Sequence, residues 1–104
     1  MNNIFASIPD EFNEEIVEAL LSKERFRIER ILSKGQASPR RFWYDQDEHE
    51  WVMVLKGAAE IVFKDGRRIR LESGDYLDIP AHEKHRVSWT DPDQATVWLA
   101  VFYP

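Results

Sequence analysis

Residues 50–80 read EWVMVLKGAAEIVFKDGRRIRLESGDYLDIP, and the alternation inside this stretch decides the fold. Trp51, Met53 and Leu55 share one parity while Glu50, Val52 and Val54 share the other. Successive side chains of a strand point to opposite faces, so this segment reads as a β-strand with two unlike sides. Gly57 interrupts it as a turn or kink, and Ala58 to Phe63 resumes the extended pattern. Lys64-Asp65-Gly66 is a hairpin signal, because Asp-Gly tolerates the positive φ that tight turns demand. Arg67 to Leu71 returns, Ser73-Gly74-Asp75 turns again, and Tyr76 to Ile79 runs up to Pro80, which ends the strand. Short strands punctuated by Gly, Asp and Pro are the mark of an all-β barrel or double-sheet roll.

Working outward, the same period of two governs the flanks. Upstream, Phe26, Ile28 and Arg30 lie on one side of a strand and Arg27, Glu29 and Ile31 on the other. Residues 35–40 carry Gly, Ser and Pro and read as a loop, and Phe42 to Asp45 is strand-like. Downstream, His85 to Trp89 and Thr96 to Tyr103 complete the sheet across the loop Thr90 to Gln94. Only Asp10 to Lys23 breaks the pattern. Phe12, Ile16 and Leu20 recur every four residues, Glu14, Glu15 and Glu18 sit opposite, and Asp10 follows Pro9 at a capping position. That spacing predicts one short α-helix. The expected organisation is therefore a helical segment over residues 1–24, laid on the outside or mouth of a barrel formed by residues 25–104.

Size and charge narrow the function. The chain has 104 residues, 43% of them hydrophobic, enough for one core and one domain. Fourteen basic against nineteen acidic residues give a net charge of −5, which disfavours nucleic acid as a partner. The richest basic stretch, Arg67-Arg68-Ile69-Arg70, alternates like the wet face of a strand. The chain has no cysteine, which excludes a disulfide scaffold, a thiol nucleophile and a cysteine zinc site. No signal-peptide pattern opens the sequence, and the run Val97 to Tyr103 is too short to span a bilayer as a helix, so neither a membrane nor secretion is expected and the cytoplasm is the default. The serines lack a histidine at a recognisable spacing, and no glycine-rich phosphate loop occurs.

Two segments carry chemistry. One is Glu50, six residues, then Gly57; the other is Gly74, five residues, Pro80, one residue, His82, two residues, His85. Together with the strand pattern these resemble the cupin superfamily, specifically its small single-domain members, over about residues 25 to 102. In the second motif His82 stands where the family has a glycine. In the first, the two histidines that precede the glutamate are replaced by Tyr44 and Gln46, or Trp43 and Asp45, depending on the spacing.

The resemblance implies an all-β cupin-type double-stranded β-barrel, a jelly roll, here with its one short N-terminal α-helix. It also implies a divalent metal held by the motif residues, of which only Glu50 and His85 carry over by position. Gln46 shares the parity of Glu50, and His82 would have to turn inward, so Glu50, His85, Gln46 and His82 are the candidate ligands for iron, zinc, manganese or nickel. His49, adjacent to Glu50, points the other way. The alternative is a metal-free barrel in which Glu50 is a partly buried carboxylate paired with His85 or Arg30.

The aromatic residues admit two roles as well. Tyr44, Trp89 and Trp98, with Trp43 and Phe102, are candidates to line a pocket for a small molecule; the other role is to pack the core or an interface. If Glu50, Val52 and Val54 face inward, then Trp51, Met53 and Leu55 form an outward apolar stripe that a second subunit would cover. Sequence thus leads to a small-molecule-binding barrel, a homodimer, with or without a metal. Its competitor is a metal-free, non-catalytic dimeric sensor or interaction module.

Overall fold

The computed structural model describes residues 2–104, and they form eight strands. These are β1 (Ile16–Ser22), β2 (Arg27–Ser33), β3 (His49–Lys56), β4 (Ala58–Phe63), β5 (Arg68–Glu72), β6 (Tyr76–Ile79), β7 (His85–Thr90) and β8 (Thr96–Tyr103). One sheet has five strands in the order β1-β2-β8-β3-β6, the other three in the order β5-β4-β7. All pairings are antiparallel. The two sheets face each other over a core of Val52, Val54, Ile61, Phe63, Trp98 and Phe102.

The alternation read from residues 50–80 is realised strand by strand. Val52 and Val54 are buried while Trp51, Met53 and Leu55 are half-buried on the outer side. Gly66 closes the β4–β5 hairpin, its amide donating to the Phe63 carbonyl at 2.9 Å. Gly57 carries the chain from the larger sheet to the smaller with φ of 97°. A side chain there would meet Thr96, whose Cα stands 2.7 Å from the position a Cβ would take. Only glycine meets both demands.

The expected helix over Asp10 to Lys23 is not formed. Residues Ile16–Ser22 are strand β1, paired antiparallel with β2 from Ile16 opposite Leu32 to Ser22 opposite Arg27. The sequence IVEALLS is apolar at five of seven positions and so commits to neither period, and as a strand it needs an extra residue at Leu20 to keep its pairing with β2. What decides is the open edge of β2: its backbone groups need partners, and a strand supplies them where a helix cannot.

The segment before β1 is irregular, with a turn closed by the Ala6 amide on the Asn3 carbonyl, and is tied to the outer surface. Arg30 is 4% exposed and donates to the carbonyls of Ile4 at 3.1 Å and Ala6 at 2.6 Å. Its other nitrogen pairs with Glu18 at 2.6 Å. Lys34 and Gln36 hold the carbonyls of Asp10 and Phe12 in the same way. No helix among the described residues is long and apolar enough to cross a membrane.

Candidate functional site in the barrel cavity

The interior of the barrel is not filled. A cavity of about 200 Å³ opens at one end, floored by Val52, Ile61, Ile79 and Trp98. The ionisable side chains that line it are Glu15, Glu29, Tyr44, Glu50 and His85.

Each is aimed by the strand that carries it. Glu50 shares the parity of Val52 and Val54 on β3 and sits between Phe102 of β8 and Ile79 of β6. His85 opens β7 and forms a bridge with Tyr44, whose amide donates to the His85 carbonyl at 2.8 Å. The two side chains meet inside, His85 Nε2 standing 3.6 Å from Glu50 Oε1, with 5% and 13% of each side chain exposed. Gln46 joins them by donating its amide N–H to Glu50 Oε1 at 3.0 Å.

The imidazole has a defined tautomer. Nδ1 lies 2.9 Å from the Glu83 carbonyl, which accepts only, so Nδ1 carries the proton. Nε2 then faces the cavity, beyond direct hydrogen-bond length from Glu50. Burial by itself would lower the His85 pKa; the Glu50 interaction and the Glu83 carbonyl more than offset it, and the value is raised from that of an ordinary imidazole.

Tyr44 stacks on His85 with ring centroids 5.5 Å apart. Desolvation pushes its phenol pKa up, and Glu15 and Glu50 add to this against a hydrogen bond to Ser38. Trp98 contributes a wall of the cavity and anchors its indole N–H on Ser33 Oγ at 3.1 Å.

Two expected participants are placed elsewhere. His82 points outward, with Nδ1 2.7 Å from Asp45 and Nε2 3.2 Å from Asp47. Its φ of 64° is left-handed, the conformation for which the motif's glycine is suited. That turn and the two carboxylates hold the ring at the surface. Trp89 would face inward by simple alternation with His85 and Val87. An irregularity at Ser88 sets Trp89 opposite Glu60 and Val87 opposite Ile61. The extra residue reverses the parity, and Trp89 lies outside with the Arg70 guanidinium over its ring at 5.0 Å.

Sequence reasoning missed two carboxylates. Glu29 enters from β2, where its parity with Ile31 was legible but the inner side was not. Arg27 holds it at 3.2 Å and bridges to Glu48 at 2.7 Å. Glu15 arrives at the rim just before β1, hidden by the helical reading. Its carboxyl pKa is raised by desolvation first, then by Glu50 and Glu29.

The donor set does not complete a metal site. Among the described residues no three His, Cys, Asp or Glu side chains converge on one point. Glu50 and His85 offer two donors, and the Gln46 amide is turned with its N–H, not its oxygen, toward Glu50. Of the two pairs that could stand for the missing histidines, Tyr44 and Gln46 line the cavity and bring no imidazole to it.

A family model for the cupin domain matches residues 29–102. The chain belongs to the cupin family. Among solved cupin-like structures, it is 46% identical to a "putative mannose-6-phosphate isomerase" from Ralstonia eutropha JMP134, covering 99% of this chain and 96% of that one with a TM-score of 0.95. An RmlC-like cupin protein from Desulfovibrio desulfuricans shares the fold at 20% identity and a TM-score of 0.79, over 100% of this chain and 95% of that one. Among curated proteins, the quercetin 2,3-dioxygenase of Bacillus subtilis (strain 168) is 40% identical over 55 residues, 53% of this chain and 16% of the dioxygenase. This cupin therefore spans about a sixth of that relative's length.

Proposed function

We propose that this cupin binds a small organic molecule in its barrel cavity, with His85, Glu50 and Gln46 as the polar contacts and no resident metal. The observation that carries the reading is the pairing of buried His85 and Glu50, 3.6 Å apart, at the wall of an open cavity of about 200 Å³. Concave, mostly apolar pockets with a few convergent polar groups are the usual form of a ligand site. A neutral imidazole with Nδ1–H fixed on Glu83 presents a lone pair at Nε2. The chemistry this arrangement supports is proton transfer with a bound molecule, Glu50 stabilising the imidazolium. A phosphosugar, the substrate class in the name of the Ralstonia relative, fits poorly. Three glutamates line the cavity, and a phosphate would meet their repulsion.

Two experiments test this. Fragment screening by NMR should shift signals of Tyr44, His85 and Trp98, and a cavity-filling Val87→Phe variant should abolish those shifts; fragments that bind only elsewhere would refute the reading. Titration with Fe(II), Zn(II), Mn(II) and Ni(II) should show no binding tighter than millimolar. Stoichiometric metal binding lost in His85→Ala would overturn the metal-free part.

A homodimer belongs to the same reading. The outer face of the five-stranded sheet carries Trp51, Met53, Leu99 and Val101, all half-buried, and Tyr76, which is 64% exposed and packs on Trp51 at 5.6 Å. A solvated sheet face is ordinarily polar, and a second copy would cover this one. Light scattering should give a dimer that Met53→Glu dissociates. A monomeric wild type would dismiss it.

A further inference from the structure

We propose that the molecule this cavity takes is an organic cation, a small primary amine or amidine with an apolar or aromatic body. The inference rests on the cavity being a binding site, and it follows from an inventory of what faces the interior. Glu15, Glu29 and Glu50 bring carboxylates, which only accept hydrogen bonds. His85 Nε2 adds a fourth acceptor in the neutral ring, because Nδ1–H is spent on Glu83. Of the donors in the lining, Gln46 spends one of its two amide N–H groups on Glu50, and the other and the Tyr44 hydroxyl are too few for these acceptors. A ligand that satisfies this set must supply donors.

The charges agree with the inventory. Glu29 shares Arg27, and Glu50 faces His85. Glu15 makes no ion pair among the described residues, although it shares the cavity with both other glutamates. With the ring neutral, Glu50 and Glu15 both lack a cationic partner among the described residues, Glu15 being exposed to water at the rim. His85 points the same way: its Nε2 stands 3.6 Å from the nearest carboxylate oxygen and is open to the cavity, where a donor on a ligand can reach it. An ammonium or amidinium group beside Glu50 and His85 would give hydrogen bonds to both, with the Glu15 carboxylate on the same cavity adding attraction from the rim. The remaining lining, Val52, Ile61, Ile79, Val87 and Trp98, would take an apolar body, and a cation against aromatic walls is favourable in its own right.

Three probes of nearly equal size separate charge from shape: benzylamine, benzyl alcohol and benzoate, titrated calorimetrically at a pH above the His85 titration followed by NMR, so that the imidazole is neutral. Benzylamine is expected to bind roughly tenfold tighter than benzyl alcohol, and benzoate more weakly than either. Glu15→Gln should reduce the amine-to-alcohol preference several-fold, whereas Glu24→Gln, at an exposed turn outside the cavity, should leave it as in the wild type. Equal affinities, preference for benzoate, or an undiminished preference in Glu15→Gln would overturn the proposal and leave the cavity as a binding site. Failure of all three probes to bind would overturn the proposal, while the fragment screen decides separately whether the cavity is a binding site.

Discussion

An alanine at position 57 has no room for its methyl group, and the consequences can be worked through. Gly57 joins β3 to β4 at φ of 97°, and the left-handed region costs a residue with a Cβ about 1–2 kcal/mol. The new atom would also stand 2.7 Å from Thr96 Cα, backbone of the first residue of β8. Relief requires β8 to move away from the link. The Thr96 hydroxyl bridges the strands there, accepting from the Ala58 amide and donating to the Ala58 carbonyl, both at 3.2 Å and both buried. Losing that bridge adds about 1–3 kcal/mol. The total, about 2–5 kcal/mol, is a large share of the roughly 5–15 kcal/mol that holds a domain of this size. Urea unfolding followed by tryptophan fluorescence measures it, with Gly66→Ala as the control. Gly66 has φ of 100° but nothing within 4 Å of its would-be Cβ, so it bears only the backbone term. Equal destabilisation in the two variants would refute the argument that contact with Thr96, rather than backbone conformation, reserves position 57 for glycine.

Other expectations follow from the same contacts. Glu50→Gln should lower the His85 pKa, read from imidazole NMR shifts against pH, because the carboxylate is what offsets burial. In the wild type the folded value is raised, so the associated stability is fully present below the ordinary imidazole pKa and is lost as pH rises through the folded one; Glu50→Gln should flatten that dependence. Arg30→Met removes three charge-assisted hydrogen bonds, and a loss of roughly 2–4 kcal/mol with accelerated amide exchange over residues 2–10 is expected. An unchanged exchange pattern would mean that something else holds the segment. Ser33→Ala leaves the buried Trp98 indole N–H without its acceptor and should destabilise by about 1–3 kcal/mol in thermal or urea unfolding.

The His85–Glu50 meeting was legible because it needs only two motif positions and one parity. Glu50 shares a face with Val52 and Val54, and apolar side chains choose the inner face. The rest of the cavity was not legible in this way. The inward direction of Glu29 depends on which face of β2 meets β8, and Glu15 depends on a segment whose conformation sequence misassigned. Trp89 was a candidate for the pocket wall, and alternation from His85 would have supported it, but a single extra residue at Ser88 turns it outward.

Alternation, turn chemistry and the spacing of Glu50, Gly57, Pro80 and His85 are local properties, carried by neighbours along the chain. They suffice for a cupin barrel, its hairpins and the central polar pair. The fate of residues 16–22 was settled by the open edge of β2, the parity of Trp89 by a bulge opposite β4, and the acidity of the cavity by three glutamates from distant segments. Those outcomes depend on hydrogen-bonding demand and charge brought together across the fold, and only the assembled sheets contain that information.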